Sequence, residues 1–211
     1  MGESAGAMAV SAEVVKRLRD MTGAGYMDCK RALDETGGDL DKARVLLRER
    51  GQAAAARRAG RAASEGLVEA YIHGQGRVGV LIEVNCESDF VAMTKEFKTL
   101  ARDLAIQVAG HNPRWVSRED APEEELSQER KIYEAQARDE GKPDDVIPRI
   151  VDGKLSAFLK ERCLVEQPFF RDLEGKQTVG QRIAEATAQL KENIVVRRFV
   201  RFERGKDDGG G

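Results

Sequence analysis

Hydrophobic positions in the first fifty residues recur at helical spacing, and further along the chain the period changes to two. Val14, Val15, Leu18 and Met21 form one apolar stripe, with Ser11 placed to cap the helix that carries it. "TGAG", Thr22 to Gly25, breaks the pattern. Met27, Ala32 and Leu33 mark a second helix that stops at Gly37-Gly38. Asp39 can cap a third, with Leu40, Ala43 and Leu47 on its apolar side and Gly51 as its end. Residues 11–51 are therefore predicted as a three-helix module, at the small end of what folds alone. The stretch from Gln52 to about residue 65 is rich in Ala and Arg and has no bulky apolar side chain. Its helix propensity is high but it has little to bury, which predicts a partly helical linker.

Alternation begins in the next segment. Val68, Ala70 and Ile72 alternate with Leu67, Glu69 and Tyr71; after "HGQG", Val78, Val80, Ile82 and Val84 share one face. Two such runs around a Gly-rich link predict a β-hairpin. Phe90, Phe97, Leu100, Leu104 and Val108 then fit one helical stripe. Residues 113–176 are charged and mixed, and read as a helical excursion around "EEELSQERKIYEAQARDEG", a turn at "KPDD", then helices near Ile147–Val151 and Leu155–Leu164. A further helix starts near Thr178, with Val179, Ile183, Ala186 and Leu190 at helical spacing, and "NIVVRRFVRFE" reads as a last strand. The fold class expected is α+β: a helical module, a linker, then a core over 66–204 in which a small antiparallel sheet packs with helices. The ends, 1–10 and 205–211, are small and polar and are expected to be disordered.

Composition narrows the function classes. Charged residues make up 34% and aromatics 5%, and the net charge of -2 gives no global field toward nucleic acid or membrane. No apolar run is long enough to span a bilayer, and no basic start is followed by an apolar stretch, so a cytoplasmic protein is expected. Cys29, Cys86 and Cys163 are odd in number and far apart, which argues against a disulfide framework or a zinc site.

The candidates for chemistry mostly reduce to plainer readings. Gly74, Gly76 and Gly79 spell GxGxxG, but a strand follows them where a dinucleotide site needs a helix. His73 and His111 have no second ligand at metal spacing, and no Ser or Cys sits in a nucleophile elbow. Glu123, Glu124 and Glu125 lie in a helical run that normally faces solvent. No catalytic constellation, cofactor or metal site is expected, and the chain reads as a non-enzyme. Basic clusters occur at Arg57, Arg58 and Arg61 and at Arg197, Arg198, Arg201 and Arg204; Phe199 and Phe202 are interleaved with the second, at strand spacing where core packing is the commoner use. "ESDFVA", Glu87 to Ala92, stays open on local physics alone. It is either a helix N-terminus capped by Ser88 or Asp89 with Phe90 packed down, or a rigid corner that offers Asp89 and Phe90 to a partner.

Two stretches also resemble a known family. "TGAGYMDCKRAL", Thr22 to Leu33, is similar to the N-terminal signature of elongation factor Ts, the exchange factor for the GTPase elongation factor Tu. "EVNCESDFVA", Glu83 to Ala92, is similar to the second signature, and "NIVVRRFVRFE" resembles the end of the short bacterial members. The similarity runs in order from about Ser11 to Arg204. The family usually has threonine where Ser88 stands and methionine where Tyr26 stands; serine keeps the capping hydroxyl, whereas tyrosine adds bulk and a hydroxyl.

The resemblance implies a ubiquitin-associated-like N-terminal module, a linker and an α+β core with one half where long members have two, hence a homodimer. It implies guanine nucleotide exchange on elongation factor Tu. Ser88, Asp89, Phe90 and Val91 would disturb the GTPase near its magnesium, and Leu18, Tyr26 and Met27 would contact it from the N-terminal module. No direct nucleic-acid or membrane contact is implied. Two rivals stand beside this reading: a ribosome- or RNA-associated accessory protein using the Arg-rich last strand, and an enzyme using the hairpin glycines.

Overall fold

Caps and breakers set the helix limits where the sequence carries them. In the computed structural model, which describes residues 10–206, Ser11 Oγ accepts from Val14 N at the start of α1 (Ala12–Thr22). α1 ends at Gly23, whose φ of 67° is the left-handed conformation that glycine adopts at least cost. α2 (Tyr26–Glu35) follows, and the Asp39 carboxylate accepts from Asp41 N and Lys42 N at 3.0 Å to open α3 (Leu40–Arg58). β1 (Glu65–His73), β2 (Val78–Cys86), α4 (Asp89–Met93), α5 (Lys95–His111), α6 (Glu123–Asp139), α7 (Ile147–Arg162), α8 (Val179–Leu190) and β3 (Val195–Glu203) complete the elements. The fold is α+β, as the pattern predicts. The ends expected to be disordered lie outside the described residues, apart from Val10, which packs on the three-helix core, and Gly205 and Lys206.

Two compact units share these elements, and neither follows chain order. The first comprises the described part of Met1–Gly66, Cys86–Phe97 and Ile183–Val195. Its helical core is Val15, Leu18, Cys29, Ala32, Leu33 and Ala43. α3 does not stop at Gly51. It continues to Arg58, because the Ala-rich stretch sustains the helix and Gly51 is buried against the C-terminal half of α8. A Cβ at Gly51 would lie 3.7 Å from Ala188 Cβ, so the glycine sits at a helix–helix contact.

The second unit comprises Leu67–Asn85, Lys98–Arg182 and the described part of Val196–Gly211. Its sheet has the order β1-β2-β3. Gly74, Gln75 and Gly76 all take positive φ, so the GxGxxG stretch opens on a hairpin turn. Arg204 N donates to Arg77 O, and Arg198 pairs with Glu83, which fixes β3 antiparallel to β2. Val78, Val80, Ile82 and Val84 are buried on the inner face. α5 lies on that side: Arg201 Nε donates to Ala109 O, and Arg102 Nη1 donates to Glu69 and to Ala70 O. Val68, Ile72, Leu81, Val200 and Phe202 are left exposed on the outer face. The excursion is a helical pair: α7 is one continuous helix, and Ala137 of α6 packs with Ile147 and Val151.

Gly51 yields the first prediction. Gly51→Ala gains helix propensity and meets ordinary van der Waals contact, so it should raise stability by about 0.5–1 kcal/mol. A higher urea midpoint with an unchanged slope is the expected result.

Candidate functional site

β2 is the central strand, and the chain leaves its end through Glu87 and Ser88 into the short helix α4. Ser88 is extended, and its hydroxyl accepts from Val91 N at 3.4 Å. Of the two residues that could cap this helix, Ser88 does so, and Asp89 stands exposed in the first turn. Phe90 is 83% exposed and Met93, three residues on along the same side, is 72% exposed. Ala92 is buried and Val91 half-buried, so α4 sits on its short aliphatic side and shows its large apolar side to solvent.

α4 and α5 are separate helices, in contrast to the single stripe read from the sequence. Thr94 has ψ near 150° and its hydroxyl works on both sides of the break. It donates to Val91 O at 2.7 Å, closing α4, and accepts from Phe97 N at 3.2 Å, opening α5. Phe97 is fully buried. The break therefore divides two phenylalanines seven positions apart into one solvent-facing ring and one core ring.

The corner is held from the turn between α8 and β3. Glu192 accepts from Glu87 N at 3.1 Å, Ser88 N at 3.0 Å and Ser88 Oγ at 2.5 Å. In return, Glu87 accepts from Asn193 N at 2.6 Å. Asn193 Nδ2 donates to Arg61 O at 2.8 Å, and the Arg61 guanidinium lies 3.6 Å from the Glu87 carboxylate. Cys86 Sγ donates to Ser88 O from beneath; burial pushes that thiol up, and the Glu192 charge adds to the shift.

A second apolar surface surrounds the α1–α2 turn. Met21, Tyr26 and Met27 are exposed there, above a turn in which Thr22 Oγ1 donates to Leu18 O and accepts from Ala24 N. Leu18 does not belong to that surface. It is fully buried among Val15, Cys29 and Leu33, because its place on α1 faces the other two helices. Met21, which the helical spacing assigned to the buried stripe, is the exposed one.

The remaining candidates stay apart. Tyr71 OH lies 2.9 Å from His73 Nδ1, and His111 ends α5. Among the described residues no three His, Cys, Asp or Glu side chains gather at metal-binding distance, and no helix is long and apolar enough to cross a membrane. Arg198 and Arg201 are engaged with Glu83 and Glu203, and Arg58 Nε donates to Lys191 O.

Comparison with known proteins gives the family of the chain. The family described as "Elongation factor TS" matches residues 41–206. The chain belongs to the elongation factor Ts family. The elongation factor Ts of Caldanaerobacter subterraneus subsp. tengcongensis is 57% identical over 197 residues, covering 93% of this chain and 98% of that protein. That of Coprothermobacter proteolyticus is 55% identical over 199 residues, covering 94% of this chain and all of that protein, 100%. That of Carboxydothermus hydrogenoformans is 55% identical, covering 93% and 90%. The chain is accordingly a translation elongation factor.

Sequence reasoning missed Met93 and the pair Glu192–Asn193. Met93 shares the i,i+3 spacing with Phe90, a signal available from the sequence. Glu192 and Asn193 carry no such signal, since their partners lie more than a hundred positions away.

The two phenylalanines should separate by stability. Phe97→Ala empties a buried site and should cost about 3 kcal/mol or more in urea unfolding. Phe90→Ala removes a ring that is already in water, so its unfolding curve should overlay the parent's within about 0.5 kcal/mol.

Proposed function

We propose that this chain is the guanine nucleotide exchange factor for elongation factor Tu, binding the GDP-loaded GTPase and promoting GDP release so that GTP can enter. The observation that carries the reading is the exposed Phe90 on a corner fixed by hydrogen bonds, in a chain of the elongation factor Ts family. Exchange needs no covalent chemistry, so the chain acts without being an enzyme and holds no cofactor of its own. Its requirement is thermodynamic: it must bind the nucleotide-free GTPase more tightly than the GDP-bound one, and by linkage GDP then weakens its binding by the same factor.

An apolar wedge meets that requirement. Burying the Phe90 ring stabilises only the partner conformation that has opened to receive it, by about 2 kcal/mol. Ser88, Asp89, Phe90 and Val91 form the segment that meets the GTPase near its magnesium. The Asp89 carboxylate brings a second negative charge to a site that holds a cation against phosphate. Loss of the magnesium removes the screening of the phosphates and weakens GDP without direct contact to the nucleotide. Tyr26 and Met27, with Met21 beside them, form the contact surface of the N-terminal helices, residues 11–51; Leu18 supports that surface from below.

The active species is a homodimer in the cytoplasm, with no nucleic acid in direct contact. The outer sheet face supports a second copy as its occupant: Val68, Ile72, Leu81, Val200 and Phe202 form an apolar face that a two-fold axis would set against itself. The RNA-binding alternative has less support, since Arg198 and Arg201 are taken up by carboxylates of the sheet.

Release of a fluorescent GDP analogue from elongation factor Tu tests the reading. The chain should accelerate release saturably, and Phe90→Ala should slow the accelerated rate about thirtyfold, the equivalent of about 2 kcal/mol. A chain that binds RNA with steep salt dependence and leaves GDP release unchanged would overturn it. Sedimentation tests the dimer separately: at micromolar concentration the chain should run as a dimer, and Leu81→Lys should convert it to a monomer.

A further inference from the structure

Glu192 and Glu87 hold each other's backbone. The Glu192 carboxylate accepts both free N–H groups of the corner, from Glu87 and Ser88, and the Glu87 carboxylate accepts the N–H of Asn193. Neither turn supplies a backbone carbonyl for these donors. The Ser88 hydroxyl joins this clasp to the wedge, because it donates to Glu192 Oε1 while accepting from Val91 N. A hydroxyl has one proton; once Glu192 takes it, the oxygen lone pairs are left to face the start of α4.

The turn that presents Glu192 is itself fixed. Lys191 has a φ of 61°, a conformation that non-glycine residues seldom hold without a surrounding reason. Its carbonyl accepts from Arg58 Nε at the end of α3, at 3.1 Å. Asn193 is tied to Arg61 O beyond the same helix. The corner, the 191–193 turn and the end of α3 belong to one unit and form one hydrogen-bonded chain.

We infer that Glu192 is a positioning residue for the Asp89–Phe90 wedge: through the Ser88 hydroxyl it fixes the entry angle of α4, so that the Phe90 ring reaches the partner already ordered. This rests on the exchange reading above. It adds a residue outside the "ESDFVA" segment that acts only through that segment. A loosened corner would pay for its ordering at the moment of insertion, and would therefore lose rate at saturation while encounter with the partner stays much the same.

A double-mutant cycle on the full chain tests the inference, with saturating GDP release and half-saturating concentration measured for each variant, well below the melting temperature. Glu192→Ala should lower the saturating rate about tenfold and leave the half-saturating concentration within about twofold. In a Phe90→Ala background the same change should alter the rate by less than about twofold, because the group it positions is gone. A loss that merely reflected damage to the fold would multiply in both backgrounds, and that result overturns the inference. Lys191→Gly, which keeps the left-handed turn without the side chain, should behave as the parent. A second readout does not depend on exchange activity: in Glu192→Ala, amide hydrogen exchange should accelerate about tenfold at Ser88 and Val91 and stay unchanged in α5. Unchanged protection at the corner overturns the clasp whatever the rates show. A parent chain with no effect on GDP release overturns the exchange reading instead, and amide exchange alone then decides whether Glu192 orders the corner.

Discussion

The hydroxyl of Ser88 accepts from Val91 and donates to Glu192, and the arrangement at the end of β2 depends on that one group. Hydrophobic burial cannot keep a phenylalanine in water; left to itself the ring would fold back on the nearest apolar surface. The restraint has to come from the backbone, and hydrogen bonds are the interaction with enough direction to supply it. Ser88 fixes where α4 begins and Thr94 fixes where it ends, so the helix between them presents Phe90 and Met93 outward. β2, which precedes the corner in the chain, is buried on its inner face and paired on both edges. The module helices, the 191–193 turn and the corner then share one unit, although they are distant in sequence.

Much of this was legible in the chain itself. Val78, Val80, Ile82 and Val84 recur at every second position, which gives a strand and its apolar face directly, though not its central place in the sheet. The excursion was legible as helical with a turn at "KPDD", but the two helices expected near Ile147–Val151 and Leu155–Leu164 are one, α7. Local chemistry also decided the hairpin turn, since a strand after Gly79 leaves the glycines no phosphate to hold.

Where the reading fell short, tertiary context had overridden a local rule. Gly51 looks like a helix stop, but the good helix formers after it carry α3 on to Arg58, and its burial against α8 shows only once α8 is placed. Leu18 and Met21 lie on one helical stripe, yet only Leu18 faces α2 and α3; three short helices cannot cover a whole stripe. Thr94 does not look like a breaker, since threonine also sits inside helices. Its double hydrogen bond appears only once both helix ends are placed. Glu192 was invisible for the simplest reason: a carboxylate near the end of a helix reads as surface charge until its donors are known.

The break at Thr94 has a consequence for how the tip can vary. In a continuous helix, inserting one residue among positions 89–93 would rotate everything beyond it by about 100°. Phe97, Leu100 and Leu104 would then turn out of the core together. With the helix interrupted, Thr94 restarts α5 from its own cap, and the register of the core helix is set afresh. The tip is thereby decoupled from the scaffold that carries it. Its length and composition can drift, or be redesigned toward an altered partner, while the buried rows behind it keep their places.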